Sequence, residues 1–323
     1  MTPLFSLIIP YHRQPAGLHR LLESIHRQSL RSLEVILVDD HSGDNVGDIV
    51  RSWQNKGLSI TLLTEPYRIY TLRCRLDGIR HAQGKIIGFA DADDVLWGTQ
   101  ALHRNVQAML NVGADILHFR TALLDEDGNF VKYAPNADPF SRRIDGTERI
   151  FSRYCQENFY ACTSLWNKIF SCRVCKQSLN CYDERFILRC EDSWLLLNIL
   201  LKCKIYIGSD ELGYGYVWRE RRMTTNPERT VAYYRFYKAV EDILSFHNIP
   251  QCSIDLFQSR IKDILCNAAG HMCRAWQSLS PQEWKAHADA LKNNELRDDL
   301  LEALITANSV NADRLLAIHK VFP

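Results

Sequence analysis

A short apolar segment that ends in three carboxylates constrains the fold of this chain most strongly. The segment Ile86–Ala90 is long enough for one buried strand, and Asp91, Asp93 and Asp94 follow it. In open α/β sheets, ligands bind outside the carboxyl ends of the strands. Neighbouring acids repel one another unless a cation neutralises them, and oxygen-only clusters suit Mg²⁺ or Mn²⁺. Because apolar residues flank the acids on both sides, we predict a divalent-cation site here rather than a solvated acidic turn.

A second segment of the sequence ends in the same way. Residues 34–38 read EVILV, which is a buried-strand pattern, and Asp39 and Asp40 come next. Further strand patterns at 4–9 and 58–63 alternate with helical patterns, which is typical of a largely parallel sheet with right-handed crossovers. Because the carboxyl ends of parallel strands lie at one edge of a sheet, we expect both groups of acids at the same edge.

Three local signals predict where elements begin and end. Pro10 is expected to stop the first strand, because proline cannot donate to a ladder. Thr99 is expected to cap a helix that Gly113 closes. Residues 131–146 show no clear period, so we expect them to form an active-site loop.

The pattern of apolar residues changes near residue 226, where helical spacing begins and continues over more than twenty residues. We therefore predict an α/β domain over 1–225 and a helical region over 226–323. An aromatic–basic cluster, Tyr214–Arg222, precedes the change. It fits a strand with a solvated basic edge, and it also fits a phosphate or membrane site.

Composition excludes some classes of protein. The chain has 323 residues with 39 basic and 38 acidic side chains, so its net charge near +1 gives no global field for nucleic acid. No apolar run approaches the ~20 residues needed to span a bilayer, and the first residues lack a signal-peptide pattern. Eleven cysteines with irregular spacing around the Cys172–Cys175 pair favour buried thiols in a reduced, cytoplasmic protein over a zinc site.

Six stretches of the sequence, in order, resemble the motifs of one enzyme family. They are SLIIPYHRQ, EVILVDDHS, RLDGI with Ala82 and Gly84, FADADD, WNKIF, and the Glu191–Asp192 pair before an apolar helix. The chain thus resembles the family 2 inverting glycosyltransferases with the GT-A fold, as found in bacterial capsule and lipopolysaccharide synthesis. The resemblance covers roughly residues 4–222. It departs from the family pattern at His41, where glycine is usual, and at Leu76, where asparagine is usual.

The resemblance implies a fold and a reaction. The fold is an α/β GT-A domain, with a Rossmann-like, mostly parallel mixed sheet flanked by helices, followed by a C-terminal helical region. The reaction is the metal-dependent, inverting transfer of a sugar from a nucleotide-sugar donor, in the first place a UDP-sugar, to a glycan or lipid-linked acceptor. The expected partners are therefore the donor and the acceptor. A peripheral contact with the inner face of the cell membrane or with a synthesis complex is left open.

On the donor side, the resemblance implies a nucleoside pocket lined by Pro10, Tyr11, Asp39 and Asp40. Asp40 would accept the imide N–H of the base, and a carboxylate suits that donor because charge-assisted hydrogen bonds are the stronger kind. Arg75 would approach the diphosphate or the ribose.

The resemblance also implies a metal site after the fourth predicted strand. Asp93 would be the principal ligand of Mn²⁺ or Mg²⁺, and Asp91 would lie near both the metal and the ribose. Asp94 would be a partner behind them, without a settled role. A divalent cation that bridges the diphosphate acts as a Lewis acid and neutralises the charge that builds on the departing nucleotide.

On the acceptor side, the resemblance makes Asp192 the catalytic base, with Glu191 as its alternative or its helper. The two acids also fit the simple capping of a helix N-terminus. Trp166 and Trp194 would stack on sugar rings or belong to the core. Lys168 would contact phosphate or acceptor, or it would cap a local carbonyl.

Two other functions are open at this point. His41 and Leu76 allow a degenerate glycosyltransferase fold that binds a nucleotide-sugar or scaffolds a synthesis complex. A sugar nucleotidyltransferase would use a related sheet, but we expect such an enzyme to carry a glycine-rich, basic loop after its first strand. The corresponding stretch here, PYHRQPAGLHR, has one glycine.

Overall fold

The computed structural model describes residues 2–134, 138–139, 141–156, 164–182, 190–218, 227–244, 251–277, 298–300 and 302–304. The chain divides into two compact units. The first comprises Met1–Ile187 with Glu191–Arg219, and the second comprises Leu188–Cys190 with Glu220–Pro323. The division after residue 225 that hydrophobic periodicity indicates stays a prediction.

The first unit is built on one mixed sheet. Among the described residues its strands are β1 Phe5–Tyr11, β2 Leu33–Asp39, β3 Ile60–Thr64, β4 Ile86–Phe89, β5 Val95–Leu96, β6 Ile116–Leu124, β7 Phe130–Tyr133, β8 Arg143–Asp145, β9 Lys168–Ser171 and β10 Ile205–Val217. The helices between them are α1 Pro15–His26, α2 Val46–Asn55, α3 Tyr70–His81, α4 Ala101–Val112, α5 Thr147–Gln156, α6 Cys172–Gln177 and α7 Glu191–Leu200.

The strand order explains how the acids are brought together. The sheet runs β3-β2-β1-β4-β9-β6-β10-β5, with β7 beside β6 and β8 beside β10. The four strands from β3 to β4 are mutually parallel, as are β6 and β10, whereas β9 is antiparallel to both of its neighbours. The α/β mixed sheet is therefore as predicted. Its parallel half places the carboxyl ends of β1, β2 and β4 at one edge.

The core of this unit lies on both faces of the parallel strands. Every residue of β2 is buried, which is the pattern of a strand covered on two sides rather than one. Helix α3 packs closely on β1, because Gly78 leaves room for the side chain of Ile8. Near the start of β1, the hydroxyl of Ser6 accepts a hydrogen bond from Gly84 N–H, just before β4, at 2.8 Å.

Two predicted element boundaries were wrong. Strand β1 continues through Pro10 to Tyr11. The pairing of β1 with β4 ends at Ile8, so the missing N–H of Pro10 does not interrupt that ladder. On its other side, Pro10 pairs with Val38 of β2. Thr99 is not a cap, because Gln100 precedes α4 and makes no side-chain cap hydrogen bond.

Other local expectations had mixed outcomes. Gly113 ends α4 in the left-handed conformation with φ of 67°, as predicted. The stretch 131–146 contains part of β7 and all of β8 among its described residues, so it is not a simple loop. Helix α2 was missed, although Val46, Ile49, Val50 and Trp53 are buried at helical spacing.

The second unit contains two long helices, α8 Pro227–Leu244 and α9 Gln251–Gln277. Phe236 of α8 and Phe257 of α9 pack edge to face with ring centroids 6.3 Å apart. None of the described helices combines the length and apolarity that crossing a bilayer requires. Arg219, Arg221 and Arg222 of the aromatic–basic cluster lie outside the described residues.

A pair of glycine substitutions tests the packing of α3 on β1. A Cβ at Gly78 would lie 2.3 Å from Ile8 Cγ2 inside the core, so we expect Gly78→Ala to lower the free energy of unfolding by about 1–3 kcal/mol. The matched control is Gly47→Ala in α2, where the nearest atom is the flexible end of Arg51 at 3.5 Å. The control should be neutral or stabilising by up to about 1 kcal/mol. Thermal unfolding of both variants measures this, and a Gly78→Ala midpoint equal to that of the control would contradict it.

Candidate active site

The turn after β2 holds its two acids in place. Asp39 accepts a hydrogen bond from Ser42 N–H at 3.0 Å, which closes the turn. His41, which follows Asp40 in this turn, has φ of 52°, a left-handed conformation that favours glycine. The residue that departs from the family pattern therefore adopts the backbone conformation that glycine would have, and both acids keep their places.

Asp40 is buried at the start of α3. Its Oδ1 accepts hydrogen bonds from the backbone N–H groups of Ile69 at 2.5 Å and Tyr70 at 3.1 Å. Arg68 Nε lies 3.5 Å from the other oxygen, Oδ2. The carboxylate thus compensates unpaired N–H groups at a helix N-terminus, and Oδ2, which is paired with Arg68, keeps lone pairs for a further donor.

Tyr11 and Pro10 end β1 beside this turn. Tyr11 is buried, and its hydroxyl donates to Asp44 Oδ2 at 2.6 Å. Burial and the Asp44 carboxylate raise the pKa of Tyr11, so the hydroxyl stays protonated. Pro10 is partly exposed at the same end of the strand. The predicted nucleoside-pocket residues are therefore neighbours in the structure, and Asp44 joins them as a residue that the motif did not indicate.

The acids after β4 have different environments. Asp94 is buried and accepts hydrogen bonds from the Tyr214 hydroxyl and the Val217 N–H, both at 2.8 Å. The same tyrosine oxygen accepts the Asp91 N–H at 3.0 Å. Asp94 therefore fixes the acidic turn to β10, which gives it a structural role.

Asp93 lies at the exposed side of the same turn and is only partly buried. Its main-chain oxygen accepts a hydrogen bond from Arg20 Nη2 at 3.3 Å, and Nη1 of the same guanidinium donates to Glu126 O at 2.9 Å. Arg20 thus ties the acidic turn to the hairpin between β6 and β7. The Arg20 contact joins residues 73 and 106 positions apart, so no local sequence pattern indicated it.

One arginine joins the two halves of the site. Arg75 of α3 donates through Nη2 to Asp91 Oδ1 at 3.1 Å and through Nη1 to Asp192 Oδ1. The arginine side chain is 3% exposed, whereas Asp91 is 35% and Asp192 is 25% exposed. The acid after β4 and the acid at the start of α7 are therefore held at one guanidinium. The expected contact of Arg75 with the diphosphate or the ribose stays a prediction.

Burial, together with the neighbouring acids, raises the pKa of two carboxyl groups near this arginine. Burial raises the pKa of Asp91 to about 6, with Arg75 opposing the rise and Asp192 adding to it. Burial also raises the pKa of Glu191 to about 7, again with Asp192 adding to the rise. For Arg75 itself, burial lowers the pKa, but Asp192 and Asp91 outweigh it and keep the guanidinium charged. The site can therefore accept further positive charge.

The donor atoms at the acidic turn fit Mn²⁺ or Mg²⁺. Asp91 and Asp93 offer carboxylate oxygens at the partly exposed side of the turn, and these are the ligands that such cations prefer. Within the described ranges, no three His, Cys, Asp or Glu side chains form a group that could hold a metal by themselves. A cation held by one or two carboxylates together with substrate phosphates is the arrangement that Mg²⁺ usually adopts, and the residues fit it.

The aromatic candidates on the acceptor side are occupied by protein contacts. Trp194 is 4% exposed and donates through Nε1 to Cys181 O at 2.5 Å, so it is a core residue without a face for a sugar. Trp166 stacks on Tyr214 and Tyr216, with ring centroids 4.9 and 5.4 Å apart and nearly parallel planes. Trp166 is partly buried against these two rings.

Lys168 belongs to a polar network inside the sheet. It is buried, and its Nζ donates to Ser164 O and Asn167 Oδ1, both at 2.7 Å. Asn167 in turn lies 2.9 Å from His118 Nε2, whose ring contacts the Tyr206 hydroxyl at 3.2 Å. Of the two predicted roles for Lys168, the structure favours the capping of a local carbonyl.

Nine cysteines among the described residues are free thiols. Burial raises the pKa of Cys175 well above its ordinary value, and the pKa of Cys172 is also raised by burial. The absence of a zinc site at this pair stays a prediction.

The chain matches the sequence profile of a known family. The sequence profile described as Glycosyl transferase family 2 matches residues 6–178, which is more than half of the chain. The amylovoran biosynthesis glycosyltransferase AmsB of Erwinia amylovora is 28% identical over 157 residues, covering 46% of this chain and 51% of that protein. The UDP-Glc:alpha-D-GlcNAc-diphosphoundecaprenol beta-1,3-glucosyltransferase WfgD of Escherichia coli is 25% identical over 131 residues, covering 40% of this chain and 51% of that protein.

A solved structure shares the fold. Residues 1–349 of TarS from S. aureus, in complex with UDP, match with a TM-score of 0.64 and 17% identity, covering 95% of this chain and 90% of that one. At this identity the match shows the fold, which is the GT-A fold that the motifs predict. By contrast, this chain spans about half the length of the curated relatives that it matches.

A single hydroxyl deletion tests whether the acidic turn depends on β10. Tyr214→Phe would leave Asp94 Oδ2 and Asp91 N–H without their shared partner inside the protein. An unmade hydrogen bond of a buried group costs about 1–3 kcal/mol, so we expect the free energy of unfolding to fall by that amount. Urea unfolding measures the effect, and Tyr67→Phe at a 59% exposed position is the control. Equal unfolding midpoints for the two variants would refute this role of Tyr214.

Proposed function

Because the chain belongs to glycosyl transferase family 2, we propose that it is a metal-dependent, inverting enzyme of that family. It moves one sugar from a UDP-sugar to a glycan or lipid-linked acceptor during the synthesis of a bacterial surface polysaccharide. One observation carries this proposal: Asp91 after β4 and Asp192 at the start of α7 meet at the same guanidinium. A donor edge and a candidate base therefore share one site.

The donor binds at the carboxyl ends of β1, β2 and β4. Pro10 and Tyr11, with Asp39 and Asp40, line the nucleoside end, where Oδ2 of Asp40 is available for the imide N–H of a uracil base. Two comparisons support uridine as the nucleoside, since TarS has been solved with UDP and the name of the Escherichia coli relative specifies UDP-Glc.

The metal site is the acidic turn itself. Asp93 would be the principal ligand of Mn²⁺ or Mg²⁺, and Asp91 would be the second. When bound, the cation supplies Lewis-acid stabilisation of the charge on the leaving diphosphate. The oxygen-only donor set and the shortage of positive charge around Arg75 support this assignment.

The acceptor is activated at the start of α7. Asp192 takes the proton from the acceptor hydroxyl while that oxygen bonds to the anomeric carbon, and the bond from that carbon to the diphosphate oxygen breaks. The nucleotide leaves with the electron pair, and a single displacement of this kind inverts the anomeric centre. The helix N-terminus stabilises the carboxylate, and Glu191 beside it orients the acceptor.

The place of action follows from the acceptor. The Escherichia coli relative is named for an acceptor linked to diphosphoundecaprenol, so a lipid-linked acceptor at the cytoplasmic face of the cell membrane is the proposed setting here. A peripheral contact with that membrane or with other synthesis enzymes would serve this reaction.

The degenerate, non-catalytic alternative has one observation in its favour. Leu76 stands where the family pattern has asparagine, and it is fully buried in the core of α3. It therefore offers no polar group to a ligand. The presence of Asp91, Asp93 and Asp192 at one site favours the enzyme.

Two carboxylate substitutions test the proposed chemistry. Asp93→Asn removes the principal metal ligand and Asp192→Asn removes the base, so we expect each to lower the turnover of transfer by about 10²–10⁴-fold. Release of UDP from a panel of UDP-sugars, with Mn²⁺ and an undecaprenyl-diphosphate glycan acceptor, measures this. The control is Asp48→Asn at an exposed ion pair with Arg51. Transfer at the wild-type rate by both site variants would exclude the assignment.

Ligand-induced stabilisation tests the metal separately from the reaction. A ligand at 100 times its dissociation constant stabilises the native state by about 2.7 kcal/mol, so UDP with Mn²⁺ should raise the melting temperature more than UDP with EDTA. Asp93→Asn should lose the part of the shift that depends on Mn²⁺ and keep the rest. If UDP gave the same shift with Mn²⁺ and with EDTA, the proposed metal dependence would be wrong.

A further inference from the structure

We infer that Arg75 is a positioning residue that couples the donor half of the site to the acceptor base. The inference rests on the proposed function and deepens it, because it assigns a role to a residue that does not itself react. The role is to hold the Asp192 carboxylate at a fixed place relative to the Asp91 carboxylate.

The geometry of the Arg75 guanidinium supports a positioning role. Its two terminal nitrogens bind two different acids, Asp91 through Nη2 at 3.1 Å and Asp192 through Nη1. The planar guanidinium fixes the separation and direction of these donors, so the two carboxylates have a set spacing. An inverting displacement needs such a spacing, because the base must act opposite the departing nucleotide. A lysine ammonium is a single point charge and would not define the spacing in the same way.

The burial of the Arg75 side chain also supports a positioning role. Arg75 is 3% exposed, and both of its terminal nitrogens are engaged. Its Nε is buried and has no hydrogen-bond partner in the structure. An arginine that contacts a diphosphate needs N–H groups that are accessible from the cleft. The Arg75 side chain is instead closed to solvent, and both of its terminal nitrogens point toward the acids.

Arg75 and the two acids that it binds come from three different elements of the fold. Arg75 lies in the middle of α3, Asp91 follows β4, and Asp192 begins α7. Asp40 contacts the backbone at the start of α3, so the helix that carries Arg75 is held by the turn after β2. The position of the base therefore depends on a helix that is anchored at the nucleoside end of the site.

Kinetics of Arg75→Lys distinguish a positioning role from a donor-binding role. We expect turnover of transfer to fall by about 10²-fold or more, while the dissociation constant of UDP with Mn²⁺ changes by less than about threefold. The matched control is Arg80→Lys, an exposed arginine of the same helix, which should keep wild-type turnover. Weaker UDP binding by about tenfold with unchanged turnover would make Arg75 a donor ligand and overturn the inference.

A double variant asks whether Arg75 acts through Asp192. Residues that act as a unit show strongly non-additive effects, so Arg75→Lys should change the residual turnover of Asp192→Asn by less than about twofold. If the two losses multiply, the arginine acts independently of the base and the inference fails. Arg75→Gln provides a second variant for both measurements in case the lysine variant does not fold.

The wild-type protein gives a test that needs no variant. In a crystal structure with UDP and Mn²⁺, the positioning role requires that Arg75 still binds both Asp91 and Asp192. A guanidinium moved onto the diphosphate would overturn the inference. Failure of the proposed function is recognised differently, since the wild-type protein would then transfer no sugar in the assay of the preceding section.

Discussion

Electrostatic repulsion between carboxylates is the constraint on which this site depends. The parallel half of the sheet brings the acids that follow β2 and β4 to one edge, and α7 adds two more. Burial raises the pKa of Asp91 and of Glu191, and the neighbouring Asp192 carboxylate adds to the rise of both. The fold is stable with these acids only because most of them are compensated, either by backbone N–H groups or by a guanidinium.

The acids of this site are compensated in two ways. Asp39 and Asp40 accept backbone N–H groups that close a turn and begin a helix, and Asp94 accepts one from β10. Such hydrogen bonds fix the backbone of the turns and of the helix start. Asp91 and Asp192 are instead compensated by a side chain, Arg75, and both keep a quarter or more of their surface exposed. Side-chain compensation leaves carboxylate oxygens available to a metal or an acceptor.

The sequence predicted the parallel strands and the position of the acids after β2 and β4 at one edge of the sheet, because both follow from local patterns. A buried strand has a short apolar run, and its last residue determines where the next side chains lie. The partners of the acids could not be predicted in this way. Arg75 and Asp192 are 117 residues apart, and Tyr214 and Asp94 are 120 apart, so only the fold brings them together. The role of Trp194 was open for the same reason, since burial of one indole depends on distant neighbours.

The division of the motifs into scaffold and site follows from burial rather than from their resemblance to a family. The WNK motif reads as an acceptor site, yet Lys168 and Asn167 form a buried network that joins β9 to β6. An unpaired buried lysine would be costly, so a lysine in this place needs the asparagine and the carbonyl that surround it. The acid pair in the first turn of α7 is partly exposed. A helix N-terminus favours negative charge there and leaves carboxylate oxygens able to accept further hydrogen bonds. The exposure of the polar groups therefore separates the buried network of the WNK motif from the partly exposed acid pair of α7.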